Sequence, residues 1–340
     1  MHDFYSDTQT KPTRAMREAM LDAPVGDEQR DEDPTTMSLC ERVADLLGKE
    51  AAVFMPSGTM CNEIGIKVHC RPGDEIICER SCHIIGFEGG GPAALSGAMI
   101  HAIDGDRGRM NADQVLGALR YPSRYDPRSR LLSVEQTANL AGGAVWPLPL
   151  LNEIAGVAKD AGLTTHMDGA RLMNAVVASG TPAADFAAGY DSVWIDFTKG
   201  LGAPVGAMLA GSRDFIEEAW RFKQQMGGAM RQSGVLAAMA DYALDHHVDR
   251  LSEDHARARR IAERLETLPK VAQVLPVETN IVIFDIIDCG PRAEHVAEAA
   301  LKAGVRFGAF DDRRIRIVTH LDVDDVSVDA LNAFLEEQLG

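Results

Sequence analysis

The sequence predicts an α/β chain in two parts: a large domain over residues 1–248 with a mainly parallel sheet and an N-terminal arm, and a smaller α+β C-terminal domain over 249–340. Three observations carry this. At 340 residues the chain is long for one hydrophobic core and short for three. Between residues 50 and 209 a short apolar, β-branched run, a Gly- or Ser-bearing turn and a helical stretch recur in that order, the pattern of a parallel sheet covered by helices. Beyond about residue 249 the pattern changes to a long, charged amphipathic helix followed by further strands and helices.

In chain order, the apolar runs predict strands at 51–55, 75–78, 131–134, 164–167, 192–196 and 207–210. Periodicity near 3.6 predicts helices at 36–47, 60–69, 148–161, 213–225 and 234–246. In the smaller domain a helix is expected at 251–265, strands at 271–275, 279–286 and 315–318, and helices at 293–303 and 326–336. No repeat, low-complexity tract or Pro- or Ser-rich linker interrupts the chain, so the two parts should pack tightly around a cleft. Near the start, Ser6-Asp-Thr8-Gln-Thr10 is polar without periodicity, and it is expected either to cross to a sister subunit or to be disordered.

Composition narrows the function classes. A hydrophobic fraction of 46% with 25% charged residues excludes a disordered chain. The formal net charge of -17 repels nucleic acid and anionic lipid, which leaves small molecules and sister subunits as the expected partners. No apolar run is long enough to cross a bilayer and the N-terminus has no targeting pattern, so a cytoplasmic location is expected. Six cysteines without a Cys-x-x-Cys pair or zinc-type spacing read as reduced thiols.

The chemistry centres on Ser192-Val-Trp-Ile-Asp-Phe-Thr-Lys199-Gly-Leu-Gly, where a lysine follows a strand inside a glycine-rich turn. An ammonium at a strand end points into the crevice where α/β sheets bind ligands, which is where a Schiff-base lysine belongs. Most loop lysines are merely solvated, so this motif needs company. It comes from Thr164-Thr-His-Met-Asp168-Gly-Ala-Arg171, where a strand ends in an aspartate suited to a pyridinium nitrogen; capping of the next helix is the structural alternative. Phe54-Met-Pro-Ser57-Gly58-Thr59 supplies a helix N-terminus with small residues and two hydroxyls, suited to a phosphate. His83 falls just past the next strand, where an imidazole can stack on a ring or move a proton. Together these predict pyridoxal 5′-phosphate held on Lys199. Alternation sends Arg314 and Arg316 to one face of a strand, either as a grip for an α-carboxylate or as solvated edge cations. Gly89-Gly-Gly91-Pro-Ala-Ala94 fits a dinucleotide fingerprint by spacing, but no strand precedes it and Pro92 interrupts the turn.

With these residues in place, the chain resembles the low-specificity L-threonine aldolase family, fold type I of the pyridoxal-phosphate enzymes with an aspartate-aminotransferase-like architecture. The resemblance runs almost end to end: Ser6-Asp-Thr8, Val25-Gly-Asp27, Glu32-Asp-Pro34, Gly48-Lys-Glu-Ala-Ala52, Ser57-Gly-Thr59, His83, Glu88, Asp168-Gly-Ala-Arg171, Thr198-Lys-Gly-Leu-Gly202, Met230-Arg-Gln232 and Arg316-Ile-Val-Thr-His-Leu-Asp322. It implies cleavage of a β-hydroxy-α-amino acid such as L-threonine or L-allo-threonine to glycine and an aldehyde. It further implies that Lys199 carries the cofactor, Asp168 pairs with the ring nitrogen, His83 stacks on the ring and Gly58 and Thr59 hold the phosphate, while Ser6, Arg171 and Arg316 bind the substrate carboxylate. A homotetramer with sites shared across a dimer interface is implied as well, and in some members a structural cation near the residues matching Thr8, Thr10 and Thr198. The departures lie at the substrate rim. Arg30 stands where the family has a pocket tyrosine, which suggests an anionic or bulkier substrate side chain. In Glu135-Gln-Thr-Ala-Asn139 the usual Asn and His are Gln136 and Ala138. A second histidine thought to touch the substrate hydroxyl is absent, with Tyr125 expected near its place. Lys223-Gln224 replaces Arg-Lys, and Ala229 replaces a glycine. Other reactions at Cα (β-elimination, racemisation or aldol transfer) and a cofactor-binding regulator without catalysis are the alternatives.

Overall fold

The computed structural model describes residues 1–340. Its central sheet has seven strands in the spatial order Ala51–Met55, Ala207–Gly211, Ser192–Asp196, Thr164–Gly169, Arg128–Glu135, Asp74–Glu79 and Met99–Ile103. Every neighbouring pair is parallel except the two made by Ala207–Gly211. The exception follows from chain length: the 197–206 connection is too short for a helical crossover, so the strand after it must return antiparallel. Ser192–Asp196 and Ala207–Gly211 are buried at every position, as unbroken apolar runs require of strands covered on both faces.

The structure adds the edge strand Met99–Ile103, which the sequence pattern hides because four of its five residues are exposed or half-buried. It also adds the Leu172–Ser179 helix, whose Leu-Met-Asn-Ala-Val-Val-Ala-Ser stretch has no polar face from which to read a period. Local chemistry sets the other helix starts. Asp33 Oδ1 accepts from Thr36 N–H at 2.9 Å ahead of Pro34 at the first helical position, and Ser57 Oγ accepts from Met60 N–H at 3.2 Å. Gly91–Ser96 forms a short helix preceded by another short helix, His83–Gly86, so no strand leads into those glycines.

The smaller body is a four-stranded antiparallel sheet, ordered Gly308–Ala309, Arg314–Val318, Ile281–Ile286 and Val271–Val274, under the Leu251–Leu265, Ala293–Lys302 and Asp325–Leu339 helices. The first residues of the chain pack here rather than on the large domain to which the sequence assigned them. His2–Asp3 pairs in parallel with Val305–Arg306, Phe4 is buried in the small core, and its carbonyl accepts from Val318 N–H at 2.9 Å. The N-terminal segment is therefore an ordered strap that leaves the small body and runs back towards the C-terminal ends of the parallel strands. No helix is long and apolar enough to cross a membrane.

Candidate active site

A cavity of about 410 Å³ opens between the two bodies at the C-terminal ends of the parallel strands. Ser6, Ser57, Gly58, Thr59, His83, Asp168, Arg171, Lys199 and Arg316 all line it, so nine residues scattered over most of the sequence converge. Arg30 does not. Its side chain is 74% exposed and its nearest acidic partner is Asp27, at 4.0 Å. Tyr125 lies almost fully exposed in the connection leading into Arg128–Glu135, at the sheet end opposite the cavity, so within its own chain it does not replace the missing histidine.

Lys199 Nζ donates to Asp196 Oδ2 at 2.9 Å. Burial disfavours the charged amine, but Asp196 and Asp168 outweigh it and Lys199 is held above its ordinary pKa. Asp196 Oδ1 in turn accepts from the backbone and hydroxyl of Thr198, both at 2.7 Å, which fixes the turn carrying the lysine. Asp168 is buried at the end of the adjacent strand, with Oδ2 accepting from Asn62 Nδ2 at 2.8 Å and Oδ1 from Ala170 N–H at 3.0 Å. Burial raises its pKa, against the pull of Lys199 and Asn62.

His83 forms the opposite wall. Nδ1 bonds Glu88 Oε1 at 2.7 Å, its backbone N–H donates to Glu135 Oε2 at 2.7 Å, and Phe87 stacks on its ring. Burial lowers the imidazole pKa, but Glu88, Asp168 and Glu135 more than offset it, so His83 holds a proton more readily than a free imidazole. Glu135 is itself pushed up to about 7 by burial and by Asp168. With Nδ1 committed, Nε2 is the nitrogen left for chemistry.

The two arginines differ in a way the sequence did not reveal. Arg171 forks onto Asp7, with Nε and Nη2 each donating at 2.7 Å, and Asn280 Nδ2 also donates to Asp7 at 3.1 Å. Although Asp7 is fully buried, the Arg171 guanidinium holds its carboxyl well below the usual range. The pair ties the N-terminal strap across the cavity, bringing Tyr5, Ser6 and Thr8 into its lining. Thr10 completes the strap, its hydroxyl donating to the carbonyls of Asp7 at 2.9 Å and Lys199 at 3.2 Å. Arg316, by contrast, has no acidic partner: Nη1 donates to Asn139 Oδ1 at 3.0 Å, Nη2 to the Tyr5 carbonyl at 3.3 Å, and Nε has no acceptor. Burial and the neighbouring Arg171 lower its pKa to about 10. Arg314 is engaged elsewhere, in a bidentate pair with Asp285.

Pyridoxal phosphate fits these residues. Gly58 and Thr59, whose first-turn amides have no intrahelical acceptor, line the cavity beside the hydroxyls of Ser57 and Thr59, which suits a phosphate. A reactive amine, a fixed buried carboxylate and an imidazole complete the donor set. Among the lining residues, Thr137 Oγ1, Arg316 Nε and Glu88 Oε2 are buried without protein partners; the first two are donors that a polar ligand would satisfy.

Fold and site together define a fold type I pyridoxal-phosphate enzyme. Residues 3–289 match the beta-eliminating lyase family. The chain is 39% identical to the probable low-specificity L-threonine aldolase 2 of Arabidopsis thaliana, over 98% of this chain and 96% of that protein. It is 40% identical to the low specificity L-threonine aldolase of Escherichia coli K12, over 95% of each. The threonine aldolase structure from Leishmania major superposes with a TM-score of 0.85 over 99% of both chains at 20% identity, and so attests the fold. The chain belongs to the beta-eliminating lyase family and, within it, to the low-specificity L-threonine aldolases.

Proposed function

We propose that the protein cleaves a β-hydroxy-α-amino acid, with L-threonine and L-allo-threonine as the first candidates, to glycine and an aldehyde. The observation that carries this reading is the buried Arg316 guanidinium, free of any carboxylate partner, in the same cavity as the Lys199 amine and the Asp168 carboxylate. It selects an α-carboxylate; Asn139 and Ser6 are the neutral groups beside it, and Arg171 supports them through its tie to Asp7.

Lys199 would hold the cofactor covalently, Asp168 would face its ring nitrogen, and Ser57, Gly58 and Thr59 would take its phosphate. Bound there, pyridoxal phosphate supplies a sink for the electron pair left on Cα when the Cα–Cβ bond breaks. The β-hydroxyl proton leaves for a base, its carbon becomes the aldehyde carbonyl, and Cα takes up a proton to give glycine. His83 Nε2 and the Lys199 amine are two side-chain proton sites in the lining, and Glu88 keeps the imidazole oriented. The carboxyl of Glu135 braces the His83 and Asn139 backbones on either side.

A homotetramer with shared sites belongs to the same proposal. Arg30 lies outside the cavity of its own chain, so a substrate role for it requires the site of a neighbouring copy. A cytoplasmic location is supported by six free thiols, which suit a reducing compartment.

The test is product analysis of the purified holoenzyme with each threonine diastereomer, beside Lys199→Ala. Glycine and acetaldehyde in equal amounts, lost in the variant, are expected. A 2-oxo acid with ammonia, or substantial turnover by Lys199→Ala, would overturn the assignment.

A further inference from the structure

Behind His83, the carboxyl of Glu88, which lines the cavity, meets that of Glu63, which does not. Glu63 lies on the Gly58–His69 helix, 3% exposed, and neither of its oxygens has a hydrogen-bond partner. Glu88 Oε1 accepts from Asn62 Nδ2 and His83 Nδ1, both at 2.7 Å, whereas Oε2 has no partner. The two carboxyls are within hydrogen-bonding reach of one another. Glycine at 91 leaves room for this placement of Glu63, since a Cβ there would stand 1.9 Å from Glu63 Oε1 and displace the carboxyl.

No cation balances a second charge at this point. Lys67, one turn along the same helix, is engaged with the Leu95 carbonyl, and Lys223 on the Arg213–Gln225 helix is paired with Glu28. The nearest groups from the strands are the acids Asp168 and Glu135, while Asp196 is tied to Lys199. His83 can balance only one charge, so two ionised carboxylates in contact and desolvated are not sustainable, whereas one proton between them turns an orphaned acceptor into a bonded one.

The structure assigns to Glu63 the role of a neutral acid that donates its proton to Glu88 Oε2, leaving a single shared negative charge behind His83. Burial and Glu88 push the Glu63 carboxyl up to about 8, in keeping with that form at neutral pH. Glu63 is thus a positioning residue. It touches neither substrate nor cofactor, and acts by limiting the charge on the acceptor of His83 Nδ1. A second full charge would hold the imidazolium more tightly and oppose proton release at Nε2.

The assignment rests on the aldolase reading only in its kinetic arm. The first measurement is the infrared difference between wild-type and Glu63→Gln holoenzyme at neutral pH. A protonated-carboxyl C=O band present in the wild type and missing from the variant is expected. The second is the pH profile of kcat/KM for glycine formation. Glu63→Gln retains a donor and should move the His83 limb by less than about 0.3 pH unit, whereas Glu63→Leu removes it and should raise the limb by about 0.5 unit or more. Absence of the band, a fall of about one unit in Glu63→Gln, or a limb unmoved in both variants would overturn the assignment. Without cleavage activity the infrared arm still decides the protonation state.

Discussion

Replacing Asp7 with Ala tests whether one buried ion pair holds the N-terminal strap over the cavity. Asp7 is 0% and Arg171 5% exposed, so the modest value of surface pairs does not apply. Two hydrogen bonds of 2.7 Å join them, and removing the carboxylate leaves the guanidinium a 3.3 Å bond to Asn139 Oδ1 and only the longer-range charges of Glu135 and Asp196. Breaking such a pair costs about 3–5 kcal/mol. With an unfolding entropy of about 2.1 cal/mol/K per residue over 340 residues, Tm should fall by about 4–7 °C. The pH dependence has a definite sign. Because Asp7 is depressed in the folded state, its contribution is complete above the unfolded carboxylate pKa of about 4 and is lost as pH falls towards the lower folded value. The gap between wild type and variant is therefore widest at neutral pH and narrows on acidification. Calorimetry of the holoenzymes at several pH values measures this, and adding Arg171→Met to the variant should recover part of the loss by removing the stranded charge. A fall in Tm under about 1 °C, or a double variant no better than the single one, would refute the reasoning.

Two further outcomes follow from the same geometry. Arg316→Leu strands no acid, so Tm should change by less than about 2 °C, while loss of a charged hydrogen-bond partner worth about 1.5–3 kcal/mol lowers kcat/KM by roughly 10- to 150-fold, mainly through KM; a large loss of stability with KM unchanged would contradict this. Gly58→Ala places a Cβ 2.3 Å from the Trp194 ring, so the helix start must shift at a cost of about 1–3 kcal/mol, and the cofactor's dissociation constant, followed by its visible absorbance, should rise; an unchanged constant and Tm would count against the cradle.

Much of the site is legible because an α/β sheet places its chemistry at strand ends. The apolar runs ending at Glu135, Asp168 and Asp196 terminate on neighbouring strands of one sheet edge, and Lys199 follows the third. Asp168 and Lys199 were therefore readable from position alone, and Asp196 and Glu135 carried the same signal without being singled out. Asn62 was harder. It sits one turn after Gly58 on a largely apolar face, and its importance depends on Asp168, over a hundred residues away. Asp7 was hidden inside a short polar stretch without periodicity. Only tertiary contact with Arg171 distinguishes it from Asp3, which is also close to the terminus but part-exposed. The same contact orders the strap, and it gives Arg171 a carboxylate partner within the chain itself.

Hydrogen-bond direction explains how the buried carboxylate of Asp168 stays fixed. Burial lowers the pKa of His69 to about 4 and of His166 to about 3, so both rings are neutral. Trp194 Nε1 donates to Asn62 Oδ1 at 2.6 Å, and because an indole N–H cannot accept, the Asn62 amide cannot be flipped. His166 Nε2, 3.1 Å from the same oxygen, must then carry the ring proton, leaving Nδ1 to accept from Ser192 Oγ at 2.7 Å. Ser192 Oγ accepts in turn from His69 Nε2 at 2.7 Å. Every donor points one way, and the chain ends with the Asn62 amide giving one hydrogen to Asp168 and the other to Glu88. A carboxylate that faces a ring nitrogen must be both charged and immobile. Water would supply only the first property. Here the Lys199 ammonium favours the charge, and a one-way network anchored by Trp194, on the strand that leads to the lysine, removes the freedom to turn.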